Sequence, residues 1–140
     1  MAKSEAQDYL DEMYKMRGYV LDFHKVLAAE DLTFLKAFNP IVESAYTPRL
    51  LDRKTKELIM SAVLAAVKAN TNHIKSHLEQ AMAHGATKEE ALQAMELVLA
   101  PAGVPSFMLA LQAWSELANP KRLEPTPLPK RKPARFKRPA

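Results

Sequence analysis

Apolar residues in the first third of the chain recur at three- and four-residue spacing. Leu10, Met13, Tyr14, Val20, Leu21, Leu27 and Ala28 keep one helical face, and the spacing predicts a single helix over 5–29 despite Gly18. Asp31 can cap a short second helix through Phe38. Asn39-Pro40 then reads as a fresh start, with Asn39 as N-cap and Pro40 at the first helical position, running to about Tyr46 before Pro48 breaks it. Asp52 caps a long helix reaching Lys68. Its centre (Leu58, Ile59, Ala62, Val63, Ala66, Val67) is nearly all apolar, the pattern of a helix buried on most sides.

Asn70-Thr71-Asn72 forms a turn and cap leading into a helix that stops at His84-Gly85. Thr87-Lys-Glu-Glu90 is a capping box for the next helix, which is expected to end near Pro101. Pro105 starts a last helix carrying Phe107, Leu111 and Trp114, closed by Asn119-Pro120. The pattern predicts an all-α bundle of six or seven helices over residues 1–119, with no strand and no internal repeat. Residues 120–140 hold 6 of the 10 prolines, spaced so that no helix can form, and predict an extended tail.

Composition sharpens this picture in three places. Leu and Ala contribute 18 and 22 residues against 10 for Ile and Val together, which favours helix over strand. The net charge of +4 is uneven: the tail carries 8 Lys/Arg against Glu124 alone, leaving residues 1–119 with 12 basic and 15 acidic side chains. A nucleic-acid-binding domain would carry its basic stripe on the folded part, so no nucleic-acid partner is expected. No apolar run approaches the roughly 20 residues of a membrane span, and the N-terminus lacks the apolar stretch of a signal peptide. A cytoplasmic protein without a membrane partner is expected. The absence of cysteine removes thiol chemistry.

Chemistry-bearing residues cluster in two consecutive helices. His73 and His77 lie at i and i+4, so both imidazoles project from one face. Imidazole exchanges protons most readily near neutral pH. Arg53, Lys56 and Glu57 open the preceding helix. Two histidines with Glu57 are a conceivable metal-ligand set, but Ile74 stands where the metalloprotease pattern has glutamate, and no further acid completes a shell, so no metal is expected. His24 and His84 read as structural. A hairpin turning at Asn70 would put Glu57 roughly 20 Å and His77 about 10 Å from the turn at 1.5 Å per residue. Only a broken helix, a steep crossing or a neighbouring subunit would then bring them together.

Residues 50–117 resemble the carboxymuconolactone decarboxylase family, which shares its fold with the alkylhydroperoxidase D proteins. The resemblance rests on Leu51-Asp-Arg-Lys-Thr-Lys-Glu-Leu-Ile59, the alanine-rich helix leading to His77-Leu78, the joint His84-Gly-Ala-Thr-Lys-Glu-Glu90, and Gly103-Val-Pro105. On the pattern of the peroxidase branch His77 matches that branch's histidine. His73 and Asn70 fall where its two cysteines would be. Without a thiolate there is no peroxide reduction and no disulfide cycle, so the resemblance implies the cysteine-less decarboxylase branch.

That branch implies a carboxy-lyase working without metal or organic cofactor on a small carboxylated lactone or ring-cleavage product of aromatic catabolism. In such a reaction His77 is the candidate proton donor, with His73 as second donor or orienting partner. Glu57 would hold one imidazole in its useful tautomer or raise its pKa. Arg53 would clamp a substrate carboxylate bidentately, with Lys56 as a weaker candidate. The alternative is a non-catalytic protein of the same fold that binds a small acid or serves in assembly. The resemblance also implies a homo-oligomer, a trimer or hexamer, on which the basic tail would lie.

Overall fold

The computed structural model describes residues 4–127, which form seven α-helices and, among the described residues, no strand. Ser4 caps α1 (Glu5–Arg17) by accepting from the Gln7 amide at 3.2 Å. The predicted helix over 5–29 is in fact two. Gly18 adopts φ 80° and closes α1 through an amide bond to Tyr14 O, a left-handed terminator that costs glycine little. The chain resumes as α2 (Asp22–Glu30).

Asp31 follows and caps α3 (Leu32–Tyr46) by accepting from the Phe34 amide at 3.0 Å. Asn39 does not start a new helix: α3 runs through it, with Pro40 inside. The side chain of Asn39 is buried and makes tertiary bonds instead of a cap, accepting from Arg17 and donating to Tyr9 and Glu43. That network offsets the one backbone bond that Pro40 cannot make.

The four remaining helices follow the sequence reading closely at their starts. Asp52 caps α4 (Arg53–Ala66), Asn70 caps α5 (Thr71–Ala83), and Thr87 with Glu90 forms the capping box of α6 (Lys88–Glu96). The ends differ. α6 stops at Glu96 rather than near Pro101, and α7 (Leu99–Ala118) contains a break at Gly103, whose φ of 81° with ψ of 174° is not helical. Pro105 thus still opens the long straight part of the last helix. Asn119 closes it in a left-handed conformation. Residues 121–127 have no regular structure, and the rest of the expected tail, 128–140, lies outside the described residues.

Two separate hydrophobic cores result. One, among α4–α7, is built on Ala65, Ile74, Leu78, Met95, Ala110 and Ala113; alanines at the crossings let the helices approach closely. The Trp114 indole ties α7 to α6 by donating to Lys88 O at 2.9 Å. The other, smaller core joins α1–α3 through Met13, Ala28 and Leu35. α4 is not buried on most sides as expected: Ile59, Val63 and Val67 are about half exposed or more, because the single chain supplies helices against one flank of α4 only. No single helix among the described residues is long and apolar enough to cross a membrane.

A Cβ at Gly18 would lie 2.7 Å from the amide atoms of Gln80 on α5. Gly18→Ala should therefore cost about 1–2 kcal/mol of stability from the left-handed backbone alone, plus a contact term. In urea melts, a Gln80→Ala background should recover the contact term and leave the backbone term.

Candidate functional site

Between the two cores lies a polar layer, and its centre is Glu57. This side chain has no exposed surface; Oε1 accepts from Arg53 Nε at 2.5 Å, and Oε2 lies 2.6 Å from His77 Nδ1. The separation expected from a hairpin is closed within one chain. α4 ends at Ala66, nine residues after Glu57, and α5 starts at Thr71, six before His77. At 1.5 Å per residue these are roughly 14 and 9 Å from the turn, a mismatch that the side chains themselves can span. Lys68, with φ 57°, turns the chain in the short connection.

A carboxylate can only accept, so Nδ1 of His77 carries the proton that bridges to Glu57. Nε2 has no partner among the described residues. No fully buried side-chain nitrogen or oxygen among them lacks a partner, so Nε2 is reached by solvent although the residue as a whole is 2% exposed. Neutral, this ring presents a lone pair at Nε2; protonated, it presents an N–H. One atom can thus take or give a proton while Glu57 holds the ring still.

Three rings enclose His77. Tyr46 stacks on it at 5.9 Å between centroids and 7° between planes, Tyr19 meets it edge-on at 5.3 Å, and His73 lies tilted at 5.2 Å. The Tyr46 hydroxyl is 3.5 Å from His77 Nδ1. Burial raises both phenols above their ordinary range, so both stay protonated at neutral pH. Burial, then the charge of His77, lowers His73. The Arg53 guanidinium sits 5.0 Å above the Tyr46 ring, and its Nη2 donates to Arg17 O at 3.4 Å.

The structure therefore brings Arg53, Glu57, His77 and His73 together. Lys56 points away: its ammonium donates to Ala45 O and Thr47 O, each at 2.6 Å, and caps the end of α3. His84 bonds Gln80 O at the end of α5. His24 lies beside Arg17, with 3.2 Å between Nε2 and Nη1. Among the described residues no group of three His, Asp or Glu side chains converges to hold a metal ion.

Tyr19, Tyr46 and Arg17 carried no signal in the sequence beyond their places at helix ends. They reach His77 and Arg53 only through the packing of α1 and α3. A cavity of about 130 Å³ adjoins the cluster, lined by Met16, Arg17, Glu43, Tyr46, Thr47 and Arg53, with Pro48 at its edge.

These features define an all-α protein with a buried acid–imidazole pair between two helical layers. The sequence model of the carboxymuconolactone decarboxylase family matches residues 33–116, which include Arg53, Glu57, His73 and His77 and begin within α3. An uncharacterized protein of Methanocaldococcus jannaschii is 31% identical over 86 residues, covering 61% of this chain and 79% of that protein. The chain belongs to the carboxymuconolactone decarboxylase family, and its lack of cysteine fits the cysteine-less branch.

Burial first, then the charges of Arg17 and His73, hold His24 at about 4 against an ordinary 6.5. Between those values the unfolded chain binds a proton that the folded chain excludes. Stability is therefore complete above about pH 6.5 and falls as pH is lowered toward 4, by on the order of 2 kcal/mol. Thermal melts across this range should show the loss, and His24→Gln should flatten it.

Proposed function

We propose that the chain is a cytoplasmic carboxy-lyase, or a related lyase or isomerase, acting without metal or organic cofactor on a small carboxylated lactone or ring-cleavage product of aromatic catabolism. The observation that supports this reading most is the buried bond between Glu57 and His77 Nδ1, which leaves Nε2 as the one proton-exchanging atom. In the decarboxylation, the bond from the ring carbon to the carboxylate breaks and CO2 leaves. The electron pair passes into the conjugated lactone carbonyl. Nε2–H of protonated His77 then delivers a proton to the carbon, and the ring is reprotonated from water. An isomerisation uses the same atom in reverse order: neutral Nε2 removes a proton at one carbon and returns it at another. Arg53 lies within the cluster, and its guanidinium offers the substrate carboxylate a charged donor.

A second reading, a small-acid-binding protein without turnover, draws on the tight enclosure of His77 by Tyr19, Tyr46 and His73. Assays of CO2 release or isomerisation on carboxylated muconolactones separate the two. His77→Gln keeps a donor for Glu57 and should lower kcat by about 10²–10⁴, Glu57→Gln by about 10–100, and His73→Ala by less. A His77→Gln protein that turns over normally leaves only the second reading.

The exposed flank of α4 supports self-association into a trimer or hexamer. Ile59, Val63 and Leu97 line an apolar groove of about 430 Å³ between α4 and α6, and exposed apolar patches of this kind mark contact surfaces. Light scattering should report more than one copy, and Val63→Glu should shift it toward monomer; a monomeric parent chain removes the proposal.

A further inference from the structure

We propose that the cavity of about 130 Å³ where α1 and α3 end and α4 begins receives the carboxylate end of a small organic acid. The ligand would bind at Nη1 of Arg53, beside the Tyr46 ring that also touches His77. The assignment rests on the proposed function for the ligand being a small acid.

Three observations carry it. Arg53 uses Nε for Glu57 and Nη2 for Arg17 O, while Arg17 uses Nη1 toward His24 and Nη2 for Asn39. Arg53 Nη1 and Arg17 Nε have no partner among the described residues. Since no fully buried side-chain nitrogen there lacks one, both open onto space that solvent reaches, and both residues line this cavity. Donors held at the edge of a protein interior gain most from a ligand acceptor, and a charged guanidinium N–H bonds a carboxylate more strongly than a neutral donor does.

The charges favour a singly charged anion over a doubly charged one. Arg17 and Arg53 face Glu43 and Glu57, the former acid 3.9 Å from Arg17 and the latter 2.5 Å from Arg53. Glu43 itself lines the cavity, so a single carboxylate meets less repulsion there than a phosphate carrying about two negative charges. Arg53 is also the first residue of α4, the helix end that favours an anion.

Size narrows the ligand further. The cavity holds roughly four waters at ~30 Å³ each, enough for the acid group and a few carbons. The Tyr46 ring lines the cavity and touches both partners, 5.0 Å from the Arg53 guanidinium and 5.9 Å from the His77 ring. Through Tyr46 the cavity adjoins His77, which is not itself part of its lining.

The test uses the full chain, with acetate as probe and acetamide as its uncharged counterpart, at ionic strength held constant with sodium chloride. Acetate should shift the Arg53 Nε–H resonance saturably, and acetamide should not. Met16 lines the cavity and is 64% exposed, so its replacement leaves both cores untouched. Met16→Glu should weaken acetate binding by about fivefold or more, and Met16→Gln by less than about twofold. No saturable shift, an equal response to acetamide, or normal acetate affinity in Met16→Glu would overturn the subsite. Acetate binding at Arg53 in a chain that turns over no lactone retains the subsite and removes the proposed function. Lactone turnover with a KM indifferent to Met16→Glu retains the function and removes the subsite.

Discussion

A carboxylate without exposed surface is the constraint on which the polar layer depends. Taking the Glu57 charge out of water costs several kcal/mol, recovered only if its oxygens are fully engaged. Arg53 takes one oxygen and His77 the other. This requirement holds the N-terminal part of α4 against the middle of α5, so the steering of the imidazole and the docking of two helices are one event. The apolar contacts around Ile74 and Leu78 supply the packing energy. They would tolerate small rotations of α5; the two charged bonds would not.

The same pair explains why α1–α3 sit where they do. Their own core, around Met13 and Leu35, does not merge with the core of α4–α7. What joins the layers is largely polar: Arg53 to Arg17 O, Lys56 to the end of α3, and the tyrosine rings against His77. The buried Arg17–Asn39–Glu43 network stiffens the cover and brings Tyr19 and Tyr46 to their places. Orientation is therefore set by hydrogen bonds, which are directional, rather than by apolar contact, which is not.

Much of this was legible along the chain because the signals are local. Asp52, Asn70 and the Thr87–Glu90 box are caps whose partners lie within three residues, and each marks a helix start correctly. The i, i+4 relation of His73 and His77, and of Arg53 and Glu57, is likewise a property of one helix. What failed was non-local. Asn39-Pro40 has the form of a helix start, yet the partner that claims the Asn39 side chain is Arg17, 22 residues earlier. Gly18 leaves the apolar spacing unbroken, and the Gln80 side chain that crowds it is invisible to periodicity. The apolar sides of α4 carry no mark of exposure, because composition cannot say how many neighbours a helix has. Tyr19 and Tyr46 gave no warning, since their role exists only where two layers meet.

The family match begins at residue 33, inside α3, and leaves out α1 and α2 with Arg17, Tyr19 and His24. Because the two cores are separate, substitutions that reshape the cover disturb the packing beneath Glu57 and His77 little, and their energetic effects should add rather than compound. The residues that hold Glu57 and His77 together thus lie inside the matched segment, and those that roof them from the N-terminal side lie outside it. Helices α1 and α2 can therefore change in sequence without moving the helix crossing that carries the acid–imidazole pair.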